Sequence, residues 1–179
     1  MSDATRIRMT LAEFKAMPET SGFVEFIAGE VIVSPTPKYP HQQSVAKIHL
    51  YLDGLDLAGE IVLSPMDVYF GEDALEPDVF WVMPGGRCQL GEDGYWYGAP
   101  DLVVEVASPS TVYRDRGRKF EIYEEYGVRE YWLVDTDARF IEVYALVDGR
   151  FERKGVFGKG TEFTSAVLGQ TVKVDMLFK

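Results

Sequence analysis

The chain reads as an α/β protein: a central mixed β-sheet of the α+β kind, flanked by helices, with extra hairpin strands at the C-terminal end. Three features carry that reading. Asp101-Leu-Val-Val-Glu-Val-Ala107 is a nearly continuous apolar run, the pattern of a central strand covered on both faces. A helical stretch over 112–126 follows it, closed by Gly127, and 130–135 is then a second buried strand. Buried strands on either side of a helix imply one sheet with helices against it.

The remaining elements follow in order. Thr10 and Glu13 form a capping-box pair, so 11–17 is predicted to be a short helix. Residues 23–27 and 30–34 are predicted strands joined by a tight turn at Ala28-Gly29. Pro35, Pro37 and Pro40 mark a loop. A helix over 41–55 would place Val45, Ile48, Leu52 and Leu55 on one face. Strands are expected at 60–64 and 66–70, then at 76–82. The stretch 83–98 holds Gly85, Gly86, Gly91, Gly94 and Gly98 and reads as a long loop of the kind that is often functional or mobile. Ser108-Pro-Ser-Thr111 is a helix-start signal. Residues 141–146 and 151–156 form a hairpin across Asp148-Gly149, and 161–179 add a last strand or two.

Composition bounds the function. The 179 residues suit one domain, 1–179, with a substantial core; 46% are hydrophobic. Cys88 is the sole cysteine, which excludes an intrachain disulfide and fits a reducing compartment. MSDATRIRMT has no apolar h-region, and no apolar run reaches a membrane span, so a cytoplasmic protein is expected. The net charge of −11 argues against a wide nucleic-acid-gripping face, because phosphate binding relies on Lys and Arg. It bears on affinity more than on chemistry, since carboxylates that hold a metal also count toward it.

Two acids occupy costly positions. Asp78 lies in an apolar strand, and Glu105 interrupts the most central one. A buried carboxylate costs several kcal/mol unless it is paired, hydrogen-bonded or metal-bound. Two that meet repel unless a cation lies between them. Oxygen ligands completed by water suit Mg²⁺ or Mn²⁺. The plainer alternative pairs each acid with a nearby Arg or Lys. Arg114, Arg116, Arg118 and Lys119 on the following helix supply such cations; a solvated face with an Asp115–Lys119 pair is the ordinary reading of that run.

Phe23-Val-Glu-Phe-Ile-Ala-Gly-Glu30, Ser34-Pro with His41-Gln, Glu76-Pro-Asp-Val79, Pro100-Asp-Leu-Val-Val-Glu-Val-Ala-Ser-Pro-Ser-Thr111, Asp115, Lys119, Tyr123, Gly127-Val and Glu130-Tyr-Trp-Leu-Val-Asp135 together resemble the Uma-type endonucleases of bacteria. These belong to the restriction-endonuclease-like PD-(D/E)XK superfamily. The resemblance runs from about Leu11 to beyond Asp135 and is most specific over 100–135. It implies a restriction-endonuclease-like core and a metal-dependent nuclease. Asp78 and Glu105 would be the two acids, with the Val106 carbonyl as a further metal ligand. Ala107 stands where the superfamily lysine usually lies, so the role would pass to Lys119, migrated to the next helix. Counting that helix from Thr111 puts Lys119 about 12 Å along it, within partial reach of Glu105. Glu25 resembles an additional acid, Glu30 is its alternative, and His41 and Asp115 are possible accessories.

The expected partners are nucleic acid, DNA first, and a second copy of the chain. The rival expectation is a catalytically silent binding or regulatory module on the same fold, which the net charge favours. A nitrogen–sulfur zinc site is excluded by a stock of His41, His49 and Cys88. Gly158-Lys-Gly-Thr161 lacks phosphate-loop spacing, and Ser108 and Ser110 lack a nucleophile elbow.

Overall fold

The computed structural model describes residues 7–18, 22–107 and 117–178. In chain order these form β1 (Ile7–Arg8), α1 (Leu11–Lys15), β2 (Phe23–Ile27), β3 (Glu30–Ser34), α2 (Tyr39–Asp53), β4 (Glu60–Leu63), β5 (Val68–Phe70), β6 (Asp73–Leu75), β7 (Val79–Val82), β8 (Gln89–Leu90), β9 (Trp96–Tyr97) and β10 (Leu102–Ala107). Then follow α3 (Arg118–Tyr126), β11 (Glu130–Asp135), β12 (Phe140–Val147), β13 (Arg150–Gly158), β14 (Glu162–Ser165), β15 (Gln170–Lys173) and α4 (Val174–Leu177).

The mixed sheet is six-stranded, in the order β13-β12-β11-β10-β7-β4. Its one parallel pair, β10 with β11, is the pair that α3 separates in sequence, as a parallel connection requires. Strand alternation gives β10 two apolar faces. Leu102, Val104 and Val106 pack with Val45, Ile48 and Leu52 of α2 and with Phe163, Val172 and Leu177 from the C-terminal hairpin and α4. Val103, and by the same alternation Glu105, point to the opposite face, where Ile122 and Tyr123 of α3 pack with Val68, Phe70 and Leu75. Glu105 therefore faces α3 from an interior strand.

The local signals have their physical counterparts. Thr10 and Glu13 make the reciprocal capping box of α1. Ala28-Gly29 and Asp148-Gly149 turn with φ 51°, 79° and 49°, 78°, the paired positive values of a two-residue hairpin. Gly127, at φ 85°, ends α3 with its N–H on the Tyr123 and Glu124 carbonyls.

Three expectations change. Sequence suggests a single sheet, but a second, seven-stranded one exists, ordered β1-β3-β2-β6-β5-β9-β8. The β6 strand goes unseen in the sequence, and 83–98 is not a plain loop: β8 and β9 lie in it, and β9 runs parallel to β5 in the register Val68↔Trp96. Strands of two or three residues are too short to show a period, so only their partners define them. The helix expected from Val112 is broken: Gly117 stands at φ −112°, ψ −107°, and α3 starts at Arg118. The start signal at 108–111, Arg114, Asp115 and Arg116 lie outside the described residues. Residues 161–179 contribute α4 as well as strands. No described helix is long and apolar enough to cross a membrane.

Candidate active site

The late start of α3 decides the position of Lys119. It is the second residue of that helix, not one two turns in, so the reach problem posed by a helix starting at Thr111 does not arise. Its Nζ lies 2.7 Å from Glu25 Oε1 and 3.0 Å from Glu105 Oε1, with all three side chains almost fully buried. One turn on, Tyr123 donates its hydroxyl to the same Glu105 Oε1 at 2.6 Å. Burial, then the Glu105 charge, pushes the Tyr123 phenol well above its ordinary value, so it stays a donor.

Asp78 sits just before β7. Its Oδ2 accepts the Val106 N–H at 2.7 Å, which ties it to the residue following Glu105. His41 Nε2, at the start of α2, faces the same oxygen at 3.2 Å. Among the described residues Oδ1 receives no hydrogen bond. Both strand acids are thus engaged through one oxygen each, Glu105 by a cation and a phenol, Asp78 by an amide and an imidazole.

A further pair of acids lies beside this group. Glu76 donates its backbone N–H to Glu25 Oε1 at 3.3 Å. Burial, then the charges of Asp67 and Glu25, raises the Glu76 carboxyl to about 8. Asp67 is raised to about 6, by burial first and then by Glu25. Glu76 Oε2 is buried without a hydrogen-bond partner among the described residues. Hence Glu25, Glu76 and Asp67 crowd negative charge onto the side of Lys119 away from Glu105.

The structure brings together Glu25, Glu105 and Lys119, and joins Asp78 to Val106 and His41. Glu30 is not part of this group: it pairs with Arg8 at 3.1 Å, because the β2–β3 turn carries it away from Glu25. Asp115, and with it the Asp115–Lys119 pair, lies outside the described residues. Sequence reading gave no role to Tyr123 or Asp67. Tyr123 had a signal, its four-residue spacing from Lys119. Asp67 had none, since it meets Glu76 only through the β5–β6 hairpin.

The donors can be weighed against a divalent cation. Among the described residues no three His, Cys, Asp or Glu side chains form a ready metal cage. Mg²⁺ does not require one: it commonly takes one or two carboxylates and keeps several waters. Asp78, with Oδ1 not hydrogen-bonded, and Glu105, on the strand it is tied to, fit that sparser mode.

A family model described as "Uma2: Putative restriction endonuclease" matches residues 11–176. The chain belongs to the Uma2 family. Its fold is restriction-endonuclease-like, as the sequence predicts. A crystal structure titled as a putative nuclease belonging to DUF820 from Anabaena variabilis ATCC 29413 is similar to this Uma2 chain with a TM-score of 0.79. The likeness covers 95% of this chain and 97% of that one at 22% identity, so it speaks for the fold alone. No curated protein matches the sequence. Within the Uma2 match, Glu25, Asp78, Glu105 and Lys119 come from four separate segments, and the fold gathers them around β10.

Proposed function

We propose that this Uma2 protein is a metal-dependent nuclease that hydrolyses phosphodiester bonds, with DNA as substrate and a homodimer as the working form. The observation that carries the reading is the buried Lys119 ammonium between Glu25 and Glu105, beside an Asp78 bonded to the amide of Val106. Asp78, Glu105 and the Val106 carbonyl would hold Mg²⁺ or Mn²⁺. Such an ion supplies a water of lowered pKa and neutralises charge on the phosphorus-centred transition state. Lys119 places a fixed positive charge where negative charge develops on the phosphate oxygens. Glu25 holds the Lys119 ammonium in place, and His41 with the Val106 amide fixes the rotamer of Asp78.

The test is nicking of supercoiled plasmid with Mg²⁺ and with EDTA. Asp78→Asn keeps an acceptor for the Val106 N–H and removes the charge. We expect Mg²⁺-dependent nicking by the wild type and a loss of at least about a hundredfold in the variant, at an unchanged unfolding midpoint. Equal nicking by both proteins refutes the assignment.

The second reading, a silent binding or regulatory module, draws on the net charge of −11 and on Lys119 being engaged by two carboxylates. Calorimetric titration with Mn²⁺ separates the two, because a silent module binds none.

A further inference from the structure

We propose that Tyr123 is a positioning residue that orients Glu105 toward the metal; this rests on the metal-nuclease reading above. The hydroxyl of Tyr123 and the ammonium of Lys119 converge on one atom, Glu105 Oε1, at 2.6 and 3.0 Å. Two donors on one oxygen fix the plane of the carboxylate and turn its other oxygen to the position of a cation ligand. Among the described residues, Glu105 is the hydroxyl's one hydrogen-bond partner.

The hydroxyl itself has little freedom. Tyr123 is fully buried, and its ring lies 5.5 Å from the rings of both Phe70 and Tyr131. Its carbonyl accepts the N–H groups of Gly127 and Val128 at the closed end of α3. Ring and backbone are therefore both held, and the O–H reaches Glu105 from a fixed point. A Phe at 123 would preserve the ring contacts and lose only the bond to Glu105. The hydroxyl thus acts on the acid rather than on the core, as outer-shell partners of metal ligands do.

The experiment is calorimetric titration of the full chain with Mn²⁺ alone, on wild type, Tyr123→Phe, Glu105→Gln and the double variant, with urea midpoints alongside. Ile122→Val, a packing change at the neighbouring buried position, serves as the control. We expect Tyr123→Phe to weaken Mn²⁺ binding about tenfold. Ile122→Val should leave it unchanged, and Tyr123→Phe should add nothing in the Glu105→Gln background. Affinity within twofold of wild type for Tyr123→Phe, an equal loss in Ile122→Val, or a full tenfold loss on top of Glu105→Gln each overturns the positioning role. Absence of Mn²⁺ binding by the wild type overturns the nuclease reading itself, and the role of Tyr123 with it.

Discussion

Replacing Lys119 by Met tests the electrostatic core of the site most directly. Met has similar length and fills the same space, so the change removes charge and little volume. The ammonium it deletes lies 2.7 and 3.0 Å from two carboxylates whose side chains are 4% and 3% exposed. With Lys119 the three groups sum to one negative charge; without it they sum to two, shielded from water. Breaking a buried ion pair by removing one partner costs about 3–5 kcal/mol, because the remaining charge is left uncompensated. Two carboxylates share this lysine, so the upper part of that range is expected at pH 7 in EDTA. That is a large share of the roughly 5–15 kcal/mol by which domains are stable. Urea denaturation followed by tryptophan fluorescence reads the loss as a lowered midpoint at constant slope. If Asp78 and Glu105 bind Mn²⁺, adding it at about 100 times its Kd returns about 2.7 kcal/mol. A destabilisation below about 1 kcal/mol, the size of an exposed pair, refutes the reasoning. The same argument means that lost cleavage on replacing Lys119 would not prove catalysis, which is why Asp78→Asn is the sharper functional probe.

Two other predictions use acids with different partners. Glu130 is as buried as Glu105, yet it accepts the Trp132 indole N–H at 2.6 Å and the backbone N–H groups of Ala166 and Val167 at 2.9 and 3.3 Å. Glu130→Ala should cost about 3 kcal/mol in urea denaturation by stranding these donors while Mn²⁺ affinity stays unchanged; a loss under about 1 kcal/mol contradicts a structural role. Asp67 is raised from 3.8 to about 6, so the native state holds its proton where the unfolded chain has released it. Its contribution to stability is full below about pH 3.8 and is lost as pH rises through about 6. Asp67→Asn should flatten that decline in metal-free protein, seen as urea midpoints at pH 4, 5 and 7; an unchanged slope removes Asp67 from the account.

Much of the site was legible because burial and charge conflict visibly in the sequence. Glu105 breaks an apolar strand, and Asp78 heads another. Lys119 was legible as a candidate, but its position was misjudged, because the helix was counted from Thr111 and not from Arg118. Glu25 and Glu30 could not be separated on one strand-turn-strand segment. Only the pairing of β2 and β3 shows that Glu25 faces α3 while Glu30 meets Arg8. Glu105 and Glu130 look alike as acids in buried strands. Their partners, a lysine and a phenol in one case and backbone amides of the β14–β15 turn in the other, come from distant segments.

By itself the sequence determined the mixed sheet around β10 and β11, the hairpin turns, the helix caps and the identity of the two strand acids. These depend on periodicity, positive-φ turns and capping, all interactions within a few residues. Tertiary structure alone decided the second sheet, the exclusion of Glu30, the Asp67–Glu76 pair and the convergence of Lys119 and Tyr123 on one oxygen of Glu105. Those depend on register between strands and on where a helix begins relative to them, and no local pattern encodes such distances.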